Sequence, residues 1–236
     1  MGLKQVRAQI EKDLGSSADR RFFSPVVYSQ YQVTLPVIRA HAHGRFIDLG
    51  CGEMPYRPFV EAQTDEYHTF DIEERTAGVT YVGDIQSMPQ VPSDYYDTAV
   101  SLEVFEHVPD PRAAAAEVFR VIRPGGTFIM SVPHMSRLHE EPYDFYRYTK
   151  YGVRRVLEDA GFVDVDITKR GGLLTFVGHQ VSTVILTLTW RIPVVRRLGW
   201  TLNKWLVTLL AYKLDNRLDG NGLFAMGYTA VARKPA

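Results

Sequence analysis

Short apolar blocks, each closed by a turn-forming residue, punctuate the chain from residue 45 onward. Blocks rich in β-branched and aromatic residues predict strands at Arg45–Leu49, Tyr67–Ile72, Thr80–Val82, Thr98–Leu102, Thr127–Val132, Val163–Ile167 and Phe224–Ala232. Elsewhere the apolar spacing lengthens to the helical period. Asp110–Ile122 is the clearest helix: Pro111 suits a first turn, Ala113 to Ala116 have high propensity, and Arg123-Pro124-Gly125-Gly126 ends it. Helices are also predicted over Tyr28–Ala40 and over Thr149–Ala160, the latter stopped by Gly161. Residues 1–25 are polar and weakly patterned, and read as a loose arm or a short helix. Between Ile72 and Val79 the interval leaves room for a short helix at most. Strands alternating with helices imply an α/β fold, a parallel sheet covered on both faces.

Composition narrows the class. A chain of 236 residues, 45% hydrophobic and 23% charged, can bury one full core, so a single domain is the simplest expectation. Its expected parts are an N-terminal arm and helix (1–44), a core (45–173), a helical insertion (174–222) and a last strand with tail (223–236). Lys plus Arg equals Asp plus Glu, so the basic excess of a general nucleic-acid binder is missing and no nucleic-acid partner is expected. The sole cysteine, Cys51, excludes an intrachain disulfide and points to a reducing, cytoplasmic compartment. No secretory signal is read at the N-terminus, Val6 stands where a myristoylation pattern needs Ser or Thr, and no apolar run reaches the length of a membrane span.

The most informative stretch is Phe46-Ile47-Asp48-Leu49-Gly50-Cys51-Gly52, an apolar strand that runs through an acidic residue into a Gly-x-Gly turn. The first glycine allows a tight turn, and the second lets backbone approach a ligand closely. Asp71 follows at the distance needed to end the next strand and catch a ribose hydroxyl. A dinucleotide site needs a third small residue where Pro55 stands, and Glu53 would repel a phosphate at this turn. The pattern therefore favours a nucleoside with an uncharged tail, such as S-adenosylmethionine, over NAD.

Further residues continue the pattern in order: Thr69-Phe70-Asp71-Ile72-Glu73, Gly83-Asp84-Ile85, then Ser101-Leu102-Glu103-Val104-Phe105-Glu106-His107-Val108 and Asp110-Pro111. Over roughly residues 45 to 135 the chain resembles the class I S-adenosylmethionine-dependent methyltransferases, type 11-like. The resemblance implies a Rossmann-like, seven-stranded, mostly parallel sheet with an antiparallel last strand, helices on both faces, and S-adenosylhomocysteine as product. It implies that Gly50, Cys51 and Gly52 line the methionine part of the cofactor while Asp48 holds the turn. It places Asp71 on the ribose hydroxyls, Ile72 on the adenine face, Asp84 and Ile85 on the adenine edge, and Leu102 and Glu103 under the methionine end. Gly52-Glu53-Met54-Pro55-Tyr56-Arg57 and His139-Glu140-Glu141-Pro142-Tyr143-Asp144-Phe145-Tyr146-Arg147-Tyr148-Thr149 look like a bacterial subgroup that often accompanies polysaccharide or secondary-metabolite biosynthesis.

Methyl transfer is an in-line displacement, so alignment and exclusion of water are the protein's main tasks. A hydroxyl acceptor also needs a proton acceptor. The segment after the fifth strand, where acceptors sit in open α/β sheets, offers His139 first, then Glu140 and His134. His107 reads as pocket lining or a helix cap, and Cys51 as a small packing residue. The histidines do not fall at ligand spacing, so no metal site is expected.

Between Asp166 and Asp215 the chain carries no acidic residue, while Lys169, Arg170, Arg191, Arg196, Arg197, Lys204 and Lys213 are basic. Pro193 divides this segment into two helices. From Trp200 onward, Thr201, Lys204 and Thr208 form one stripe, and Leu202, Trp205, Leu206, Leu209 and Leu210 form the other. Three readings stay open for the insertion: a wall over an apolar acceptor pocket, a homodimer interface, or a peripheral contact with the inner face of a membrane. The acceptor reads as a small-molecule, glycan or lipid-linked hydroxyl. The alternatives are transfer to nitrogen or carbon, and a non-catalytic S-adenosylmethionine-binding partner subunit.

Overall fold

The computed structural model describes residues 3–14, 17–218 and 222–236. The chain forms two compact units, Met1–Val33 with Arg170–Met226, and Thr34–Lys169 with Gly227–Ala236.

The larger unit holds the sheet. Its strands are β1 (Arg45–Leu49), β2 (Glu66–Asp71), β3 (Tyr81–Val82), β4 (Tyr96–Leu102), β5 (Ile122–Pro133), β6 (Val163–Arg170, the last residue falling in the other unit) and β7 (Gly227–Arg233). They lie in the order β3-β2-β1-β4-β5-β7-β6. β1 pairs in parallel with β2 and β4, β2 with β3, and β4 with β5, whereas β7 runs antiparallel to β5. The fold is thus the seven-stranded, mostly parallel sheet with an antiparallel last strand that the sequence predicts. The order reverses between β1 and β4, and a crevice opens beyond the carboxyl ends of such a pair.

Helices α3 (Arg57–Val60), α4 (Pro111–Val121) and α5 (Lys150–Asp159) also belong to this unit. Phe46, Ile47, Leu49, Ala99, Phe128 and Ile129 are buried from the strands, and Ala114, Ala115, Val118 and Val121 from α4. No helix lies between β2 and β3, as their short spacing requires. The chain after the glycine turn yields only the four residues of α3, with Pro58 in its first turn, and then a 3-10 turn over Glu61–Gln63.

The smaller unit contains α1 (Leu3–Leu14), the first nine residues of α2 (Pro25–His41), α6 (Leu173–Thr189), α7 (Pro193–Leu202), a π-helical stretch over Asn203–Leu209, and α8 (Leu210–Leu218). Residues 3–14 are a helix rather than a loose arm. Val6 and Ile10 bury one face of α1 with Phe23, Leu186 and Trp190. The Trp190 indole donates to Asp13 at 2.8 Å. Pro193 does separate α6 from α7.

The two stripes read after Trp200 are not cleanly separated into an inner and an outer face: Thr201 is exposed, Lys204 half-buried and Thr208 buried. Asn203 and Thr208 are fully buried, while Trp205 and Leu206 are 60% and 61% exposed. The Asn203 amide donates to the carbonyls of Phe22 and Phe23, and the Thr208 hydroxyl donates to that of Phe22. Those carbonyls end a 3-10 turn (Ala18–Phe22) and need donors, so polar side chains go inward.

At the start of α4, Asp110 accepts from the backbone N–H groups of Arg112 and Ala113. Replacing Asp110 with Ala removes this cap and is expected to destabilise the chain by about 1 kcal/mol in chemical denaturation.

Candidate active site

The turn after β1 is set by sterics. Gly50 has φ +79°, and a Cβ there would stand 2.3 Å from Val104 Cγ2. The N–H groups of Gly50 and Cys51 donate to the carbonyl of Phe70, tying the turn to β2. Gly52 has φ +50°, and a Cβ there would meet nothing within 4 Å, so this residue borders open space. Its N–H donates to Asp71 Oδ2 at 2.8 Å. The carboxylate that holds this turn is therefore Asp71. Asp48 is not seen doing so: it lies buried beneath and accepts from the Tyr67 hydroxyl at 3.0 Å. Burial pushes the Asp48 carboxyl up to about 7, the Tyr67 bond opposes that rise, and the nearby Asp71 carboxylate adds to it. Arg57 lies over the Tyr67 ring, 5.4 Å from its centre, and Tyr56 is buried. The Pro-Tyr-Arg segment thus braces the turn from behind. Cys51 is buried and its thiol is pushed up to about 12 by burial, which suits packing and not nucleophilic chemistry.

Just past β2, Ile72 is an apolar side chain left 66% exposed. Asp84 is exposed and accepts from the Gln86 N–H and side-chain amide, and Ile85 beside it is buried. Leu102 ends β4 half-buried. Glu103, with φ +56°, accepts from the Ser131 hydroxyl at 2.9 Å.

The segment after β5 is stitched to the 3-10 turn Phe105–His107. Phe145 and Tyr146 donate their N–H groups to the Glu106 carbonyl, Tyr148 its hydroxyl to the Phe105 carbonyl, and Tyr146 its hydroxyl to the Pro109 carbonyl. Asp144 accepts from Arg147 at 2.7 Å and from the His139 N–H at 2.9 Å. The Arg147 guanidinium holds the Asp144 carboxyl down to about 2. An open cleft of about 360 Å³ runs along this segment, lined by residues including Arg137, Leu138, Phe145 and Tyr146.

This stitching brings His139 beside Glu106 and His107. Glu106 is fully buried, and neither carboxylate oxygen has a hydrogen-bond donor among the described residues. Nε2 of His139 lies 3.6 Å from Glu106 Oε1, and Nε2 of His107 lies 3.7 Å from it. The ring of His107 meets His139 edge-on, and its Nδ1 lies 2.7 Å from the Tyr143 carbonyl. That carbonyl can only accept, so Nδ1 carries the proton and a neutral His107 turns a lone pair toward Glu106. Acceptors converge on the buried carboxylate, so a shared proton or a cation is needed among them. Burial pushes the Glu106 carboxyl up, and Glu106 in turn raises His139 against its own desolvation.

Sequence spacing gave no hint of this group: Glu106, His107 and His139 place ligand atoms within 4.8 Å of one another, a set that could hold a metal ion. Glu106 was missed as a functional residue. Its one signal is a carboxylate set between Phe105 and Val108 in an apolar run. Of the other two base candidates, Glu140 is exposed, 4.0 Å from Arg75, and His134 packs its ring near Tyr228 with Nδ1 buried and unbonded.

Residues 29–166, well over half of the chain, match the family model of a methyltransferase domain. The chain belongs to the methyltransferase domain family. No curated protein sequence matches it significantly. Solved structures share the fold at low identity. The [4+2]-cyclase SpnF is 17% identical over 89% of this chain and 82% of its own, with a TM-score of 0.58. An S-adenosylmethionine-dependent methyltransferase from Archaeoglobus fulgidus is 17% identical over 89% of this chain and 95% of its own, with a TM-score of 0.54. The Haemonchus contortus phosphoethanolamine N-methyltransferase 2, solved with S-adenosylhomocysteine, is 16% identical over 95% of this chain but 59% of its own, with a TM-score of 0.53.

The two turn glycines separate stability from binding. Gly50→Ala meets Val104 as well as backbone strain, and is expected to cost about 2–4 kcal/mol in stability. Gly52→Ala has room and is expected to cost only about 1 kcal/mol, while narrowing the crevice. Thermal unfolding of both variants checks the order.

Proposed function

We propose that this chain transfers a methyl group from S-adenosylmethionine to a hydroxyl oxygen of a small-molecule, glycan or lipid-linked acceptor, with His139 as proton acceptor. The observation that carries the reading is the crevice at the β1–β4 reversal, bordered by Gly52, with the Asp71 carboxylate bound to the turn itself. When bound, the cofactor supplies a methyl carbon already activated by its sulfonium.

The residues present fit that nucleoside. Asp71 Oδ1 accepts nothing from the described residues and is suited to a ribose hydroxyl. Ile72 would offer an apolar surface for adenine, Asp84 and Ile85 would meet its edge, and Leu102 and Glu103 would face the methionine end. Gly50, Cys51 and Gly52 give the backbone wall, with Asp48 buried below. The turn opens into only a four-residue helix, which leaves no long helix N-terminus for the pyrophosphate of NAD.

Bound S-adenosylmethionine would supply the methyl group to the acceptor oxygen and leave as S-adenosylhomocysteine, so the residues here need only align the acceptor and take its proton. The hydroxyl proton passes to His139 Nε2, and Glu106 stabilises the imidazolium so formed. Asp144 and Arg147 position His139 through its backbone N–H. Glu140 and His134 are the further proton acceptors on this segment.

Incubating the protein and deuterium-methyl S-adenosylmethionine with host extract, followed by mass spectrometry, should yield a product labelled on oxygen. Binding of the cofactor with no labelled product would support a non-catalytic partner subunit instead. Asp71→Ala should weaken cofactor binding by about 1–3 kcal/mol in calorimetry. An unchanged affinity would remove its ribose role. His139→Ala should lower kcat by about 10²–10⁴-fold at unchanged cofactor affinity.

The pH dependence follows from the raised His139. A base works unprotonated, so kcat should rise with pH through a value above the ordinary imidazole range. Glu106→Gln removes the charge that raises it and should move that limb to lower pH. If the positive charge among these groups is a proton, exhaustive chelation leaves activity intact. Loss on chelation with recovery on adding a divalent cation would show a metal there.

A further inference from the structure

We infer that the smaller unit docks on an anionic membrane surface through the outer sides of α6, α7 and the π-helical stretch. This docking is independent of the methyl-transfer reading and rests on how the unit distributes its polar and apolar side chains.

Its surface is inside out. Leu188 is 73% exposed, Ile192 55%, Val194 80% and Leu198 61%, and Trp205 and Leu206 continue the band at 60% and 61%. Along α7 and beyond, Val194, Leu198 and Trp205 recur at helical spacing, so they share one side. Meanwhile Asn203 and Thr208 of the same helical run face inward, held by the carbonyls that close the 3-10 turn. Lys204 is drawn the same way, 4.2 Å from the centre of the Phe22 ring and 3.5 Å from Asp19. The hydrophobic side is therefore turned outward by the donations of Asn203 and Thr208 to those carbonyls. A groove between α6 and α7, lined by Ile185, Leu188, Val195, Leu198 and Leu202 among others, is apolar throughout. A continuous apolar band of this kind marks an interaction surface.

Charge selects the occupant. No acidic residue lies between Asp166 and Asp215, and Arg191, Arg196 and Arg197 stand at and just past the α6–α7 turn, among the exposed apolar residues. Asp13 answers Arg196 at 3.8 Å, and Arg191 and Arg197 are exposed. A second copy of the chain fits poorly: a two-fold contact puts the basic patch against its own copy, so like charges crowd together in a desolvated interface. An anionic bilayer supplies both acyl chains for the apolar band and negative headgroups for its rim. Trp205 has the amphipathic ring that settles at that boundary. No helix among the described residues is long and apolar enough to cross a membrane, so the contact is with the surface.

The test is flotation of the full chain with phosphatidylcholine vesicles, with and without phosphatidylglycerol, at low and high salt. Flotation is expected only with phosphatidylglycerol, and to fall as salt rises. Arg197→Gln should weaken the partition about fivefold, the equivalent of about 1 kcal/mol for one basic residue near the surface. Brominated lipid should quench tryptophan fluorescence, and the quenching should be largely lost in Trp205→Phe, with Trp190 and Trp200 remaining. Trp205→Phe leaves the buried packing intact, so a folded variant still reports. Absence of flotation, or flotation indifferent to phosphatidylglycerol, overturns the inference. A concentration-dependent dimer abolished by Leu198→Ser, with no vesicle binding, would assign the band to a second copy instead.

Discussion

A single hydrogen bond, from the Gly52 N–H to the Asp71 carboxylate, organises the rest of the sheet's open end. It joins the turn after β1 to the end of β2, two strands already in register from Arg45 opposite Glu66 to Leu49 opposite Phe70. It also fixes where the carboxylate stands. The bond exists because Gly50 can turn at positive φ against Val104, and because Gly52 presents bare backbone at its own positive φ. Tyr67, Asp48 and Arg57 then pack behind that turn, so its shape is supported from below.

A second organisation grows from backbone carbonyls. The carbonyls of Phe105, Glu106 and Pro109 accept N–H groups and hydroxyls from the Asp-Phe-Tyr-Arg-Tyr run, Phe105 in addition to the Val108 N–H of its own turn. The consequence is chemical. A carboxylate sealed from water finds two imidazoles at its edge, and His139 acquires a higher proton affinity than it would have alone. Burial and charge act together here, since exposure of Glu106 to water would screen most of its effect on His139.

Much of this was legible in the residues. Every predicted strand exists, and β1 falls where its apolar block begins and ends. Asp110 and Thr149 cap α4 and α5 as their side-chain chemistry suggests. The membership in a methyltransferase family agrees with the order of the glycine turn and the acidic residues after it. What stayed hidden depends on contacts between distant positions. Nothing in the local pattern tells that His107 and His139 will meet, because their meeting depends on how a loop lies against a 3-10 turn. The turn role of Asp71 over Asp48 was hidden for the same reason: one ends β2 and the other stands one residue before the end of β1, and only the packed fold decides which reaches the N–H.

The smaller unit shows the limit of amphipathic patterning. Period finds the two stripes of a helix but not which one faces in, and here unsatisfied carbonyls at Phe22 and Phe23 outweighed the usual preference. The central claim remains the nucleoside crevice of the larger unit, and a crystal structure with S-adenosylhomocysteine tests it most directly. The ribose is expected on the Asp71 carboxylate and the amino-acid end against Gly50 to Gly52. A ligand held elsewhere, with that crevice closed by the protein's own side chains, would contradict it.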